Sequence, residues 1–227
     1  NALRIQLDKD GIRDKFGGCF HLSSNNAQMI TNTNIYNMRP FYMTAESKFK
    51  EEFPFELGIH AKFSDDFNPL GKDFHTQFAL DMKYSTNLNA SCIVVHPPYN
   101  QSYDHDKFID YFVEDIVKED IIRILEETNL PIAWENMIEG QFGSLKALYR
   151  FREKLSDKLH EIGKPMLIDK HLFCLDTGHL LIWKNKHPKP ISTQKEIEEY
   201  LPIFAQYTKA FHIHANDGTS DHHLIPF

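Results

Sequence analysis

The chain has 227 residues, 41% of them hydrophobic and 25% charged, the balance of an ordinary globular protein with enough apolar surface to bury a core. Lys plus Arg number 25 against 32 for Asp plus Glu, a formal net charge of −7, so the long-range attraction behind non-specific nucleic-acid binding is missing overall. No apolar run approaches the roughly 20 residues that cross a bilayer and no charged-then-apolar leader opens the sequence, so the chain reads as soluble and cytoplasmic, with no membrane partner.

Short apolar runs, polar turns and longer amphipathic stretches alternate along the chain, the rhythm of successive strand and helix units. Seven runs read as strands: Leu3–Leu7, Ala27–Thr31, Phe55–His60, Cys92–His96, Pro131–Glu135, Leu172–Asp176 and Ala210–His214. The stretch from Gly11 to Asn26 has no clear period, and its Gly17-Gly18 pair lacks the third glycine of a dinucleotide fingerprint. Phe74, Phe78 and Met82 predict a helix before the fourth strand. Phe108, Phe112, Ile116, Val117, Ile121 and Leu125 predict one long helix over Asp106–Thr128. Leu145, Leu148, Phe151, Leu155 and Leu159 predict the next. Thr193 and Glu196 read as a capping box opening a last helix, which Pro202 should end or kink. Cys19, Cys92 and Cys174 are odd in number and far apart, so each is expected as a packed thiol outside any disulfide. Lys184 to Lys189 reads as an exposed basic turn, with a phosphate contact as the alternative.

Strands that alternate with helices imply a parallel sheet buried on both faces, in keeping with the continuous Ile93-Val94-Val95 run. An open doubly wound sheet and a closed barrel both fit that order, and the strand ends discriminate between them. His60, His96, Glu135, Asp176 and His214 each stand at or just beyond a strand end, 36, 39, 41 and 38 residues apart by their own numbers. A closed barrel aims all such ends into one mouth, whereas an open sheet spreads them along an edge. The expected fold is therefore α/β, a single (β/α)8 TIM barrel domain over residues 1–227, without its eighth strand because seven candidates precede Phe227. The exposed edges of such a barrel can pair with another chain, which makes a homo-oligomer an expectation.

Taken singly, His60 and His96 are more often hydrogen-bonded core histidines than ligands. Glu135 after Ile132-Ala133-Trp134 and Asp176 after Phe173-Cys174-Leu175 are harder to dismiss, because a buried carboxylate needs a partner charge or a cation. Strand alternation also places His212 on the same face as His214. Imidazoles and carboxylates converging without a thiol suit Zn, Mn, Fe, Co or Mg. His179, Asp221 and His223 could complete a second site; alternatively, Asp221 and one histidine order a loop.

Four segments go further: Val94-Val95-His96-Pro97, Trp134-Glu135-Asn136-Met137, Cys174-Leu175-Asp176-Thr177-Gly178-His179, and His212-Ile213-His214-Ala215-Asn216-Asp217-Gly218 with Asp221 and His223. From the third strand to the end, this pattern resembles the xylose isomerase-like TIM barrel superfamily, which holds sugar-phosphate isomerases and epimerases together with endonuclease IV, the AP endonuclease family 2. The resemblance implies Glu135, Asp176 and His214 as ligands of a shared divalent metal. It implies His60 and His96 as the extra ligands of the endonuclease branch, and His179, Asp221 and His223 as that branch's third zinc site. The glutamate that the superfamily carries on its eighth strand has no counterpart in the sequence.

His60 and His96, with Arg39 and Phe63 in loops, speak for the nuclease branch. The acidic balance, the short segment from His214 to Asp221, and Asn136-Met137-Ile138-Glu139-Gly140 in place of Asn-x-Ala-Gly speak against it. The expected activity is that of an isomerase or epimerase of a small sugar or sugar phosphate, dependent on Zn, Mn, Co or Mg and passing through an enediolate. Glu135, or the eighth-strand carboxylate of the superfamily, is its expected acid and base. A zinc-dependent AP endonuclease and an inactive binding barrel are the alternatives.

Overall fold

Six parallel strands pair strictly in chain order: β1 (Cys19–Phe20), β2 (Gly58–His60), β3 (Cys92–Val95), β4 (Ile132–Glu135), β5 (His171–Asp176) and β6 (Thr208–His212). The computed structural model describes residues 19–20, 58–61, 78–79, 81–83, 85–86, 90–98, 104–186, 190–213 and 216–221. Leu3–Leu7, Ala27–Thr31, Phe74, His214 and His223 lie outside the described residues. β1 falls in the stretch where the sequence shows no period, and it pairs Cys19 with Gly58 and Phe20 with Ile59.

The sheet is curled. In a flat sheet, four spacings of about 4.8 Å would put β2 and β6 roughly 19 Å apart, yet the rings of His60 and His212 stack at 5.5 Å. The fold is therefore α/β and an arc of a (β/α) TIM barrel, not an open doubly wound sheet. Alternation along each strand separates two environments. Val94, Ala133 and Cys174 face inward, where only small side chains fit, and Ala210 packs against them. Ile93, Val95, Ile132, Trp134, Phe173 and Leu175 face outward into the larger core under the helices. There Phe112, Phe142, Phe151 and Trp134 form an aromatic cluster with ring centroids 5.1 to 5.7 Å apart. Burial pushes the Cys174 thiol up to about 12, which keeps it protonated and inert; neither Cys92 nor Cys174 forms a disulfide.

The helices correct four expectations. The segment Asp106–Thr128 is two helices, α1 (His105–Ile116) and α2 (Glu119–Glu127). Lys118 turns extended and its amide bonds to Asp115, after which Glu119 and Asp120 place acidic side chains in the first turn of a new helix, where the dipole favours them. The apolar stripe survives the break because Ile121 and Leu125 still reach the core. α3 (Leu145–Glu161) follows the predicted stripe, with the Ser144 hydroxyl accepting from the Ala147 amide at 3.1 Å.

α4 (Thr177–Lys186) follows β5 without a loop, so Lys184 to Lys186 close a helix where a turn was expected, with Asn185 and Lys186 exposed, and residues 187–189 lie outside the described residues. α5 (Pro190–Gln206) starts at its proline, leaving Thr193 inside the helix and buried, not at its cap. Nor does Pro202 end α5. The helix continues because Phe204, wholly buried, stacks on Phe173 at 4.2 Å. Residues 78–79, 81–83 and 85–86 are helical, with Phe78 and Met82 buried as their spacing predicts. Among the described residues, no helix is long and apolar enough to cross a membrane.

Candidate metal centre

Glu135 ends β4 on its inward face, is almost wholly buried, and collects four imidazoles. Its Oε2 lies 3.3 Å from His60 Nε2 and 3.1 Å from His96 Nε2. Its Oε1 lies 3.1 Å from His212 Nδ1 and 3.2 Å from His179 Nδ1. One carboxylate thus joins rings delivered by β2, the end of β3, β6 and the first turn of α4.

Asp176 divides its two oxygens between fold and site. Oδ1 accepts from the His179 amide at 2.7 Å, in the manner of a helix cap for α4, while Oδ2 stands 3.6 Å from His212 Nδ1. Asn136, fully buried, holds this strand end in place. Its side-chain oxygen accepts from the Asp176 amide at 2.8 Å and its amide nitrogen donates to the Asp176 carbonyl at 3.0 Å. A β-bulge opposite Phe173 and Cys174 brings β6 into register so that His212 pairs with Asp176.

Burial would raise the pKa of Glu135, but hydrogen bonds from His212, His60 and His96 together outweigh it and hold the carboxyl well below its ordinary range. Asp176 is likewise held low, against burial, by His212 and His179. Burial lowers His96 and keeps that ring neutral. The same burial acts on His179, but the carboxylates of Asp176 and Glu135 prevail and raise it.

The donor set fits a divalent cation. His60 Nδ1 donates to the Ala61 carbonyl at 2.8 Å, and His179 Nδ1 donates to the Asn136 carbonyl at 2.8 Å. In the neutral ring, each Nε2 is then a lone pair aimed at a carboxylate oxygen, Glu135 Oε2 at 3.3 Å and Asp221 Oδ2 at 3.2 Å. Two lone pairs at that distance repel unless a proton or a metal ion joins them, and backbone carbonyls that fix the ring are the usual outer support of a ligating histidine. Two groups, His60 with Glu135 and His212, and Glu135 with Asp176 and His179, each place their ligand atoms within 4.8 Å of one another. Nitrogen and carboxylate donors without sulfur match Zn, Mn, Co or Mg.

A family model described as xylose isomerase-like TIM barrel matches residues 37–227. The chain belongs to that family. Among solved structures, this xylose isomerase-like barrel is similar to a D-tagatose 3-epimerase-like protein at 16% identity, covering 90% of this chain and 70% of that chain with a TM-score of 0.62. It is similar to endonuclease IV from Thermus thermophilus at 15% identity, covering 90% and 80% with a TM-score of 0.55. A third likeness is to an IOLI protein with a binding zinc atom, at 12% identity, covering 97% and 73% with a TM-score of 0.56. At these identities, the likeness shows the fold. No curated protein matches the sequence.

Of the predicted site residues, His60, His96, Glu135, Asp176 and His179 converge, and Asp221 joins through His179. His212 and Asn136 are the additions. The alternation of β6 already marked His212 as sharing a face with His214, whereas nothing local in the sequence marks Asn136 as the clamp on Asp176.

Proposed function

We propose that the protein is a divalent-metal-dependent isomerase or epimerase acting on a small sugar or sugar phosphate. The observation that carries this reading is a buried carboxylate, Glu135, shared by two ligand groups in the mouth of a barrel whose surrounding turn folds down onto it. Glu135, Asp176 and His179 are all buried, and the turn ending at Asp221 reaches His179. The net charge of −7 gives little attraction for phosphate backbones.

His60, His96, Glu135, Asp176, His179 and His212 would hold the cation. The cation would act as a Lewis acid toward a carbonyl and its neighbouring hydroxyl, acidifying the C–H bond between them. Glu135 stays ionised, as a proton acceptor must, because the rings 3.1 to 3.3 Å away hold its carboxyl well below the ordinary range. Asn136 keeps Asp176 and His179 in fixed relation. His214 and His223 remain assigned to the shared and third metal positions by resemblance.

One observation favours a second reading, phosphodiester hydrolysis at abasic sites: His60 and His96, the extra ligands that the resemblance implies for the endonuclease branch, both stand beside Glu135.

Incubation with ketose and ketose-phosphate panels in D2O, with Zn, Mn, Co or Mg added after chelator treatment, tests the first reading. The expected result is metal-dependent deuterium incorporation at the carbon beside the carbonyl, without nicking of an abasic duplex. Metal-dependent nicking with no exchange into any sugar would replace it with the second.

A further inference from the structure

α4 touches three parts of the mouth. In its first turn, His179 faces Glu135 and Asp221. In its middle, Trp183 lies so close to Gly143 in the loop after β4 that a Cβ there would come within 2.6 Å of the indole. Near its end, Asn185 Nδ2 donates to the Gly218 carbonyl at 3.0 Å. This last contact belongs to the Asn216-Asp217-Gly218 motif, whose purpose the ligand set does not explain.

The turn is specialised for that contact. Gly218 has φ of +75°, and a Cβ there would overlap Asn185 Nδ2 and sit 3.2 Å from Leu181 Cγ, so a side chain at this position would displace the amide. The Gly218 amide donates to Asn216 Oδ1 at 2.8 Å. Asp217 Oδ1 accepts from the Thr219 amide at 2.8 Å, the Thr219 hydroxyl at 2.7 Å and the Ser220 amide at 3.3 Å. These bonds give the turn its shape but do not fix its place on the barrel. Asn185 ties it to the helix that carries His179, and three residues beyond Gly218, Asp221 Oδ2 arrives 3.2 Å from His179 Nε2.

We propose that Asn185 is a positioning residue that clamps the 216–221 turn to α4 and thereby sets Asp221 against His179. The clamp holds this carboxylate and this ring at ligating separation, 3.2 Å apart. Its consequence for cation binding rests on the metal reading above; the clamp itself rests on the turn alone.

Asn185→Asp keeps the size of the side chain and replaces the donor with an acceptor facing the Gly218 carbonyl. In the metal-free full chain, hydrogen exchange at the Thr219 and Ser220 amides should quicken roughly tenfold while amides of β4 and β5 keep wild-type rates. Zinc titration against a competing chelator should show about tenfold weaker binding for Asn185→Asp. The same change in an Asp221→Ala background should add nothing further. Unchanged exchange in the turn would overturn the clamp. Faster exchange with an undiminished affinity loss in the Asp221→Ala background would overturn the action through Asp221. A wild-type chain that binds no zinc, manganese, cobalt or magnesium would instead sink the metal reading, and the exchange rates alone would then decide the clamp.

Discussion

His171 and His179 bracket the same strand, are both buried, and are driven in opposite directions. His171 opens β5 among the aromatic side chains under the helices. Its ring stacks on Trp134 at 6.1 Å and its Nδ1 accepts from the indole N–H at 3.1 Å. Burial pushes its pKa down to about 3, and Arg152 and Lys170 add to the effect. His179, just past the other end of β5, meets the same desolvation, but Asp176 and Glu135 raise it. Burial alone silences an imidazole, whereas burial beside carboxylates makes it a cation or a ligand. The difference separates the two ends of one barrel: the β5 entrance lies among aromatic rings and its exit gathers carboxylates and imidazoles.

The largest expected effect comes from removing the charge that gathers the rings. Glu135→Gln should lower cation affinity by roughly a hundredfold in calorimetric titration, because the remaining imidazoles lose the anion they share. His60→Ala should cost less if a single ion is bound. Equal losses in the two variants would show that Glu135 bridges two ions.

Next is the acid sensitivity written into His171. Its folded pKa of about 3 lies below the ordinary 6.5, so the unfolded chain binds the proton first and stability is lost as pH falls through that window. The loss amounts to about 1.4 kcal/mol per pH unit from this ring. His171→Gln keeps an acceptor for Trp134 and should flatten the stability slope between pH 6.5 and roughly 4.5, within the window set by those two values, measured by urea unfolding of metal-free protein. A variant with the wild-type slope would mean that the ring takes up its proton without unfolding.

The smallest effect sharpens the same end. Trp134→Phe keeps the aromatic packing and removes the donor to His171, which should lower unfolding free energy by about 1 kcal/mol. A loss several times larger would assign the indole's value to its fit against Phe112 and Phe151 and not to the hydrogen bond.

Much of this was legible in the amino-acid order, for local reasons. Alternation along β4 and β5 puts Glu135 and Asp176 on the face of Ala133 and Cys174, and the cost of burying a carboxylate alone points to a counter-charge. The same spacing logic identifies His60 and His96. Helix stripes read well wherever side chains three and four apart share a core, as in α3. Where they failed, a distant contact outweighed a local preference: Phe204 stacking on Phe173 carries α5 past Pro202, and Lys118 breaks a stripe whose apolar spacing survives the break.

The sequence by itself determined that His60, Glu135 and Asp176 end strands, although it carried the last strand to His214 where β6 ends at His212, because strand period, side-chain polarity and desolvation cost are properties of neighbours along the chain. Only the tertiary structure decided that β2 and β6 curl to within reach of one carboxylate, and that a bulge against β5 turns His212 toward Asp176. It also decided that Asn136 and Asn185 hold the strand end and the turn. Those outcomes depend on distances between segments far apart in the numbering, such as His60 and His212, which curvature and packing set and no local pattern encodes.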